Sequence, residues 1–239
     1  MPAWNFGGDA FLPEHYTNGI APKTNLDSKE AVDGLQFAQD VAWKHHVSMQ
    51  SGKDPSEGIS FKTGRVAIEI NGGWNFWGYS TIKDFKWAAA AVPVKVNNKN
   101  VAYNDFWELS SQSKNRDAAW AFIKHIASAE VQRQYSELTG TPPTNKGAID
   151  SWYRRYEFLM PRADLEKVTQ GAIDPKRSQE SPDHLFIEWP QMDSYFGKEI
   201  NTPLNQNQGT ARDLINQAKP GYDALVKEIY DRWKGKTPA

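Results

Sequence analysis

The stretch "FKTGRVAIEINGGWNFWGY", residues 61–79, narrows most sharply the folds open to this chain. Val66, Ile68 and Ile70 fall on one face, the period-two pattern of a strand. Helical periodicity lies on both sides of it. Upstream, "DSKE" reads as a capping box with Asp27 as N-cap and Glu30 three residues on. Ala31, Leu35, Ala38 and Ala42 follow on one helical face, as far as about His46. Downstream, Ala119, Phe122, Ile123 and Ile126 form a second apolar stripe. Few strand patterns interspersed among many helical ones predict an α/β arrangement with a modest sheet.

The remaining punctuation fits that class. Residues 1–26 read as loop, broken by Gly7, Gly8, Pro13, Gly19 and Pro22. "KWAAAAVPV", 86–94, reads as a second strand or short apolar segment, and 106–115 as another strand. Asn97 and Asn98 carry hairpin chemistry. Ser128 opens a new helix and Gly140 ends it as a C′ glycine, with Pro142 and Pro143 blocking continuation. Two consecutive helices are therefore predicted over 115–127 and 128–139. Helix is also predicted over 150–171, 190–207 and 210–233, with loop at 172–183 and Pro220 kinking or splitting the last helix.

Composition excludes several classes of function. Lys and Arg number 28 against 29 Asp and Glu, so no net field draws the chain to nucleic acid or an anionic membrane. No apolar run approaches the ~20 residues of a membrane span. The N-terminus lacks the basic head and apolar core of a signal peptide, which leaves a cytoplasmic chain or one that starts after its signal. The cysteine count is zero, which removes disulfides, thiol catalysis and Cys-ligated zinc. His45 and His46 are adjacent, diverge on a helix and make no i, i+4 metal pair. Neither a nucleophile-elbow, a zincin nor a phosphate-loop motif is present. A glycosidase needs two carboxylates facing across a sugar. Glu69, Asp105, Glu108 and Glu188 are the acids near aromatic clusters, and sequence spacing pairs none of them. No catalytic residue, metal site or cofactor is therefore assigned.

The chain does carry ten Trp in 239 residues at a mean hydropathy of −0.70, so some rings must lie at the surface. Phe76, Trp77 and Tyr79 read as core. Trp74 differs because it follows Gly72-Gly73, which permit a tight turn and leave room beside the ring. Indole faces stack on the C–H faces of pyranose rings, and neighbouring amides bond the hydroxyls. Asn71, Asn75, Asn104 and Asp105 offer such groups.

"FKTGRVAIEINGGW" resembles the F-x-x-G-x-x-A-M-x-x-x-G-x-W signature of extracellular solute-binding proteins of sugar ABC transporters, the maltose-binding-protein-like family. Three further blocks are similar and in order: "LDSKEAVDGLQFAQDVAWKHHV", "SKNRDAAWAFIKHIASAEVQRQYSELTGTPPT" and "EWPQMDSYFGKEINTPLNQNQGTARDLI". The resemblance covers about residues 4–233.

The resemblance implies a type II periplasmic-binding-protein fold. It implies that this chain holds most of lobe two and the segment that crosses back to lobe one. Residues 1–107 would be second lobe, 108–150 the crossing first-lobe segment, and 151–239 C-terminal helices mostly of the second lobe. It implies a ligand site of Gly73, Trp74, Asn104, Asp105, Trp107, Tyr195 and Phe196, with the Gly7-Gly8 loop at the cleft rim. It implies a mono- or oligosaccharide ligand, a membrane permease partner and a periplasmic or extracellular location for the intact protein. The chain would be a C-terminal portion, paired with the missing N-terminal portion or with another copy of itself. The rival readings are a sugar-active enzyme, a binder of polyamines or peptides, and a truncated module without ligand affinity.

Overall fold

Helices carry almost all of the regular structure in the computed structural model, which describes residues 2–50, 59–97, 99–103, 105–174 and 176–236. In chain order they are α1 Pro2–Asn5, α2 Pro13–Asn18, α3 Lys29–Trp43, α4 Asn75–Tyr79, α5 Arg116–Ile126, α6 Ala129–Thr139, α7 Ile149–Tyr156 and α8 Arg162–Ile173. Then follow α9 Pro182–Leu185, α10 Trp189–Phe196, a π-type turn Gly197–Asn201, α11 Thr202–Asn205 and α12 Ala211–Trp233. The strands β1 Asn100–Ala102 and β2 Ser178–Glu180 pair in parallel, Asn100 opposite Ser178.

The chain divides into two compact units. The first comprises Met1–Asp54, Pro93–Ala102 and Pro175–Ala239; the second comprises Pro55–Val92 and Tyr103–Asp174. This division is separate from the lobe boundaries drawn at 107 and 150 from the sequence.

The first unit is organised on α12. Thr210 caps it, its hydroxyl accepting from the Asp213 N–H at 3.2 Å. Leu214, Ile215, Ala218, Tyr222, Val226 and Ile229 then recur at helical spacing and are all buried. Pro220 lies inside this helix without ending it. Ile20, Leu26 and Val32 join the same core from the other end of the sequence. Asp223 accepts from both the N–H and the hydroxyl of Thr24, at 2.9 and 2.8 Å. Near the start of the chain, Asp9 accepts from the Trp4 indole at 2.7 Å and the Tyr16 hydroxyl at 3.1 Å. Trp4 is thereby core.

Two glutamines of α3 hold the turn between α11 and α12. Gln36 accepts from the Ala211 N–H at 2.9 Å. Buried Gln39 donates to the Leu204 carbonyl, the Asn207 side chain and the Gly209 carbonyl at 3.2, 3.1 and 2.8 Å. Gln39→Ala leaves these acceptors without that donor inside the protein. It is expected to cost about 2 kcal/mol, measured by urea unfolding against wild type. A cost near zero would show that the turn is held by packing alone.

The second unit has an aromatic core. Phe76, Trp152, Tyr153, Tyr156, Met160 and Leu165 are buried together. Trp152 and Tyr156 both donate to the Gly140 carbonyl, at 3.0 and 2.9 Å. The predicted break at Ser128 is present: its side chain caps α6 by accepting from Val131, and Gly140 ends that helix at φ 74°. α5 and α6 lie in the unit that does not hold α3.

Several expectations are corrected. The N-cap of α3 is Ser28, not Asp27, because the Ser28 hydroxyl accepts from the Ala31 N–H. α3 ends at Trp43 rather than near His46, and His46 itself takes a left-handed φ of 54°. Residues 1–26 hold two short helices, α2 beginning on Pro13, whose fixed φ suits a first helical position. Residues 150–171 form α7 and α8, parted ahead of Pro161. The loop expected at 172–183 contains β2, and β1 pairs with it in place of a hairpin at Asn97; Asn98 lies outside the described residues. Among the described residues no strand forms at 66–70 or 106–115. A strand needs a hydrogen-bonded neighbour, and the two strands described are paired with each other. Ile68 and Ile70 are therefore 83% and 69% exposed.

Candidate functional site

Asn71 sets the turn that presents the aromatics of the second unit. Its Oδ1 accepts from the Gly72 N–H at 2.9 Å. Its Nδ2 donates to Glu69 Oε1 at 2.6 Å and to the Tyr79 hydroxyl at 3.3 Å. The Asn75 N–H then bonds the Gly72 carbonyl at 3.0 Å, and α4 begins. Trp74 precedes α4 with helical backbone angles, φ −61° and ψ −25°.

Gly72 is the glycine that this geometry requires. A Cβ placed on it would lie 2.2–2.4 Å from three consecutive indole atoms of Trp74, Cζ2, Cη2 and Cζ3. Near-equal distances to three consecutive ring atoms put Gly72 against the face of the ring, not its edge. Gly73 is under no such demand, since a Cβ there would meet only Pro142 at 3.4 Å. Trp74 has one face on the Gly72 backbone and is still 51% exposed. Tyr103 meets it edge-on, with ring centroids 5.7 Å apart at 80°. Tyr103 is itself exposed and is not among the site residues named from the sequence, although it directly precedes Asn104 and Asp105.

The other rings of the turn divide by direction. Phe76 points into the core, 5.0 Å from Trp152 and 5.4 Å from Tyr156. Tyr79 is half-buried against Phe61 and Trp87. Trp77, expected in the core, is 60% exposed. One residue along a helix turns the side chain by about 100°, so Phe76 and Trp77 cannot share the inward face. The Cδ1 edge of Trp77 abuts Gly140, lying 3.3 Å from where a Cβ there would be.

The remaining named residues are spread over both units. Asn104 lies outside the described residues. Asp105 and Trp107 are exposed, and Trp107 meets Phe122 of α5 edge-on at 6.2 Å. Tyr195 and Phe196 belong to the first unit and are half-buried on its core, 5.5 and 6.4 Å from Tyr222. The Tyr195 hydroxyl donates to the Ala218 carbonyl at 3.3 Å and fills the place where a Cβ of Gly221 would sit.

Two of the four carboxylates near aromatics are engaged. Glu188 accepts from Arg232 at 2.9 Å through each oxygen and from the Trp233 indole at 2.6 Å. The Trp233 hydrogen bond, ahead of the Arg232 charge, holds its carboxyl below the usual range. Glu69 is bonded by Asn71. Among the described residues no group of three His, Asp or Glu could hold a metal ion. No described helix is long and apolar enough to cross a membrane.

A family model described as bacterial extracellular solute-binding protein matches residues 2–158. Among solved structures, an ABC substrate-binding protein of Listeria monocytogenes in complex with cycloalternan superposes with a TM-score of 0.69 at 16% identity. It is matched over 94% of this chain and 55% of its own. The maltose-binding periplasmic protein of the same organism, in complex with maltose, gives 0.68 at 20% identity, over 96% and 57%. A solute-binding protein of Thermotoga lettingae bound with α-D-tagatose gives 0.68 at 19% identity, over 95% and 55%. These likenesses establish a type II periplasmic-binding-protein fold, rich in helix. The chain spans a little over half the length of the structures it matches.

Proposed function

This chain belongs to the bacterial extracellular solute-binding protein family, and from that premise we propose that it is the C-terminal portion of a carbohydrate-binding component of an ABC importer. The observation that carries the reading is the Trp74 indole, seated with one face on a glycine backbone and half exposed. Such a ring offers an apolar platform to a pyranose, with no charge demanded of the ligand. Gly73, Asn104, Asp105 and Trp107 would complete this side of the site. No chemistry is done on the ligand. In the intact protein, on the periplasmic or extracellular side, ligand binding would close two lobes by hinge motion, and the closed form would dock on the permease.

The unsatisfied surfaces of the second unit support the fragment part of this reading. α5 buries none of its residues, although it carries an apolar stripe. Val66, Ile68 and Ile70 keep the alternation of a strand, yet among the described residues no strand forms there. Both patterns are those of elements completed by more polypeptide. The segment 108–150 would then belong to the first lobe, and the complement would be the N-terminal portion of the intact protein.

Sugar affinity should be weak in the chain alone. A ligand enclosed from two sides loses about 1.5–3 kcal/mol with each missing charge-assisted bond, and every 1.4 kcal/mol is about tenfold. Two or three missing contacts move a micromolar site to the millimolar range. NMR titration with glucose, maltose and maltotriose is expected to show millimolar binding, lost in Trp74→Ala, with the sugar recovered unchanged. A shortened sugar would favour an enzyme. Spermidine binding in place of sugar would favour a cation binder, and micromolar affinity would overturn the half-site.

A further inference from the structure

The second unit presents two exposed indoles on one turn, and we propose that Trp77 forms a second stacking position beside Trp74, so that the ligand of this site is an oligosaccharide of at least two pyranose units. The inference rests on the carbohydrate reading of Trp74 and goes beyond it by fixing a minimum ligand length. Trp74 and Trp77 are three residues apart with helical backbone between them. That spacing brings side chains to neighbouring positions on one side of the turn. It advances ~4.5 Å along the axis, close to the step from one pyranose ring to the next in a glycosidic chain. A single sugar ring covers one indole and leaves the other wet.

The surroundings favour a standing platform over an accidental exposure. Phe76, between the two indoles, is locked in the core by Trp152 and Tyr156, which fixes the direction of the turn. Trp77 is braced by its edge against Gly140, whose carbonyl is held by the same two residues. Trp74 is braced by its face against Gly72. Each ring is thus supported from behind by a glycine where a side chain would collide with it or crowd it, while 51% and 60% of the two residues remain exposed. Rings held in this way lose little further freedom when a ligand stacks on them. The solved structures of similar fold hold both kinds of ligand, tagatose as a single sugar and maltose and cycloalternan as linked ones. A pair of platforms selects the linked class.

The test is an NMR titration of the indole N–H signals of the full chain with glucose, maltose and maltotriose, the signals being assigned through Trp74→Ala and Trp77→Ala. Maltose and maltotriose are expected to move both indole signals, and glucose to move that of Trp74 alone. Trp77→Ala should weaken maltose and maltotriose about tenfold and leave glucose unchanged. If maltose moves Trp74 and leaves Trp77 still, or Trp77→Ala binds all three sugars as wild type does, the second position is overturned and the carbohydrate reading survives. If no sugar moves either signal, the carbohydrate reading itself falls and the second position with it.

Discussion

Gly140→Ala is expected to destabilise the second unit by about 2–4 kcal/mol. The residue sits at φ 74°, where an L side chain costs roughly 1–2 kcal/mol. The added Cβ would also lie 2.3 Å from the Tyr156 hydroxyl and 3.0 Å from Arg155 Nε. Tyr156 is buried and cannot swing aside freely, so its bond to the Gly140 carbonyl is lost, at about 1 kcal/mol more. Trp152 bonds the same carbonyl, so the damage reaches the centre of the aromatic core. Urea unfolding followed by tryptophan fluorescence, with hydrogen exchange over 149–160, measures it. Tyr156→Phe separates the two causes: it keeps the glycine and removes one bond, for about 1 kcal/mol. In that background Gly140→Ala should recover part of its cost, because the clashing oxygen is gone. A loss under about 1 kcal/mol for Gly140→Ala alone would mean that α6 ends without need of the left-handed residue.

Acid is expected to loosen the first unit well above the range in which carboxylates protonate. His15 is 1% exposed, enclosed by Phe11 and Phe186, and neither ring nitrogen has a hydrogen-bond partner among the described residues. Burial pushes it from 6.5 down to about 4, against the opposing pull of the Leu12 carbonyl and the charges of Glu14, Asp9 and Asp223. The unfolded chain therefore binds a proton below about 6.5 that the folded chain refuses until about 4. Stability contributed by the neutral ring is complete above the upper value and falls through that window as pH drops. Two and a half units correspond to about 3 kcal/mol. His15→Leu removes the titrating group and keeps an apolar occupant. Unfolding midpoints compared at pH about 7 and about 4.5 should fall steeply for wild type and much less for the variant. Parallel losses in the two proteins would show that His15 is not the source of the acid sensitivity.

Much of the fold was legible where a local signal decides the outcome. Ser128 and Gly140 marked both ends of α6, and the apolar stripes of α5 and α12 gave their helices, because caps and periodicity act within a turn or two. The alternation at Val66–Ile70 was read correctly as a pattern but not as a structure, since a strand exists only with a partner. Asp27 and Ser28 are both good caps, and the sequence contains nothing that ranks one above the other. β2 was invisible because its three residues, Ser178, Gln179 and Glu180, have no apolar alternation and pair only through their backbone. Around α4, the Gly72-Gly73 turn and the exposure of Trp74 were legible through a motif. The exposure of Trp77 was not, because it depends on which neighbour claims the inward face of a five-residue helix.

The core of the first unit has a consequence for how the protein is made. Ile20, Leu26 and Val32 pack with Leu214, Ile215 and Val226, and Thr24 is bonded to Asp223, 199 positions further on. Translation delivers these partners at ~5–20 residues per second, so Thr24 waits roughly 10–40 seconds for its acceptor. The partners of the second-unit core, Phe76 to Leu165, are all synthesised within that interval. The nascent chain therefore completes its later-starting unit first, and carries the apolar side of α3 uncovered until the last helix emerges.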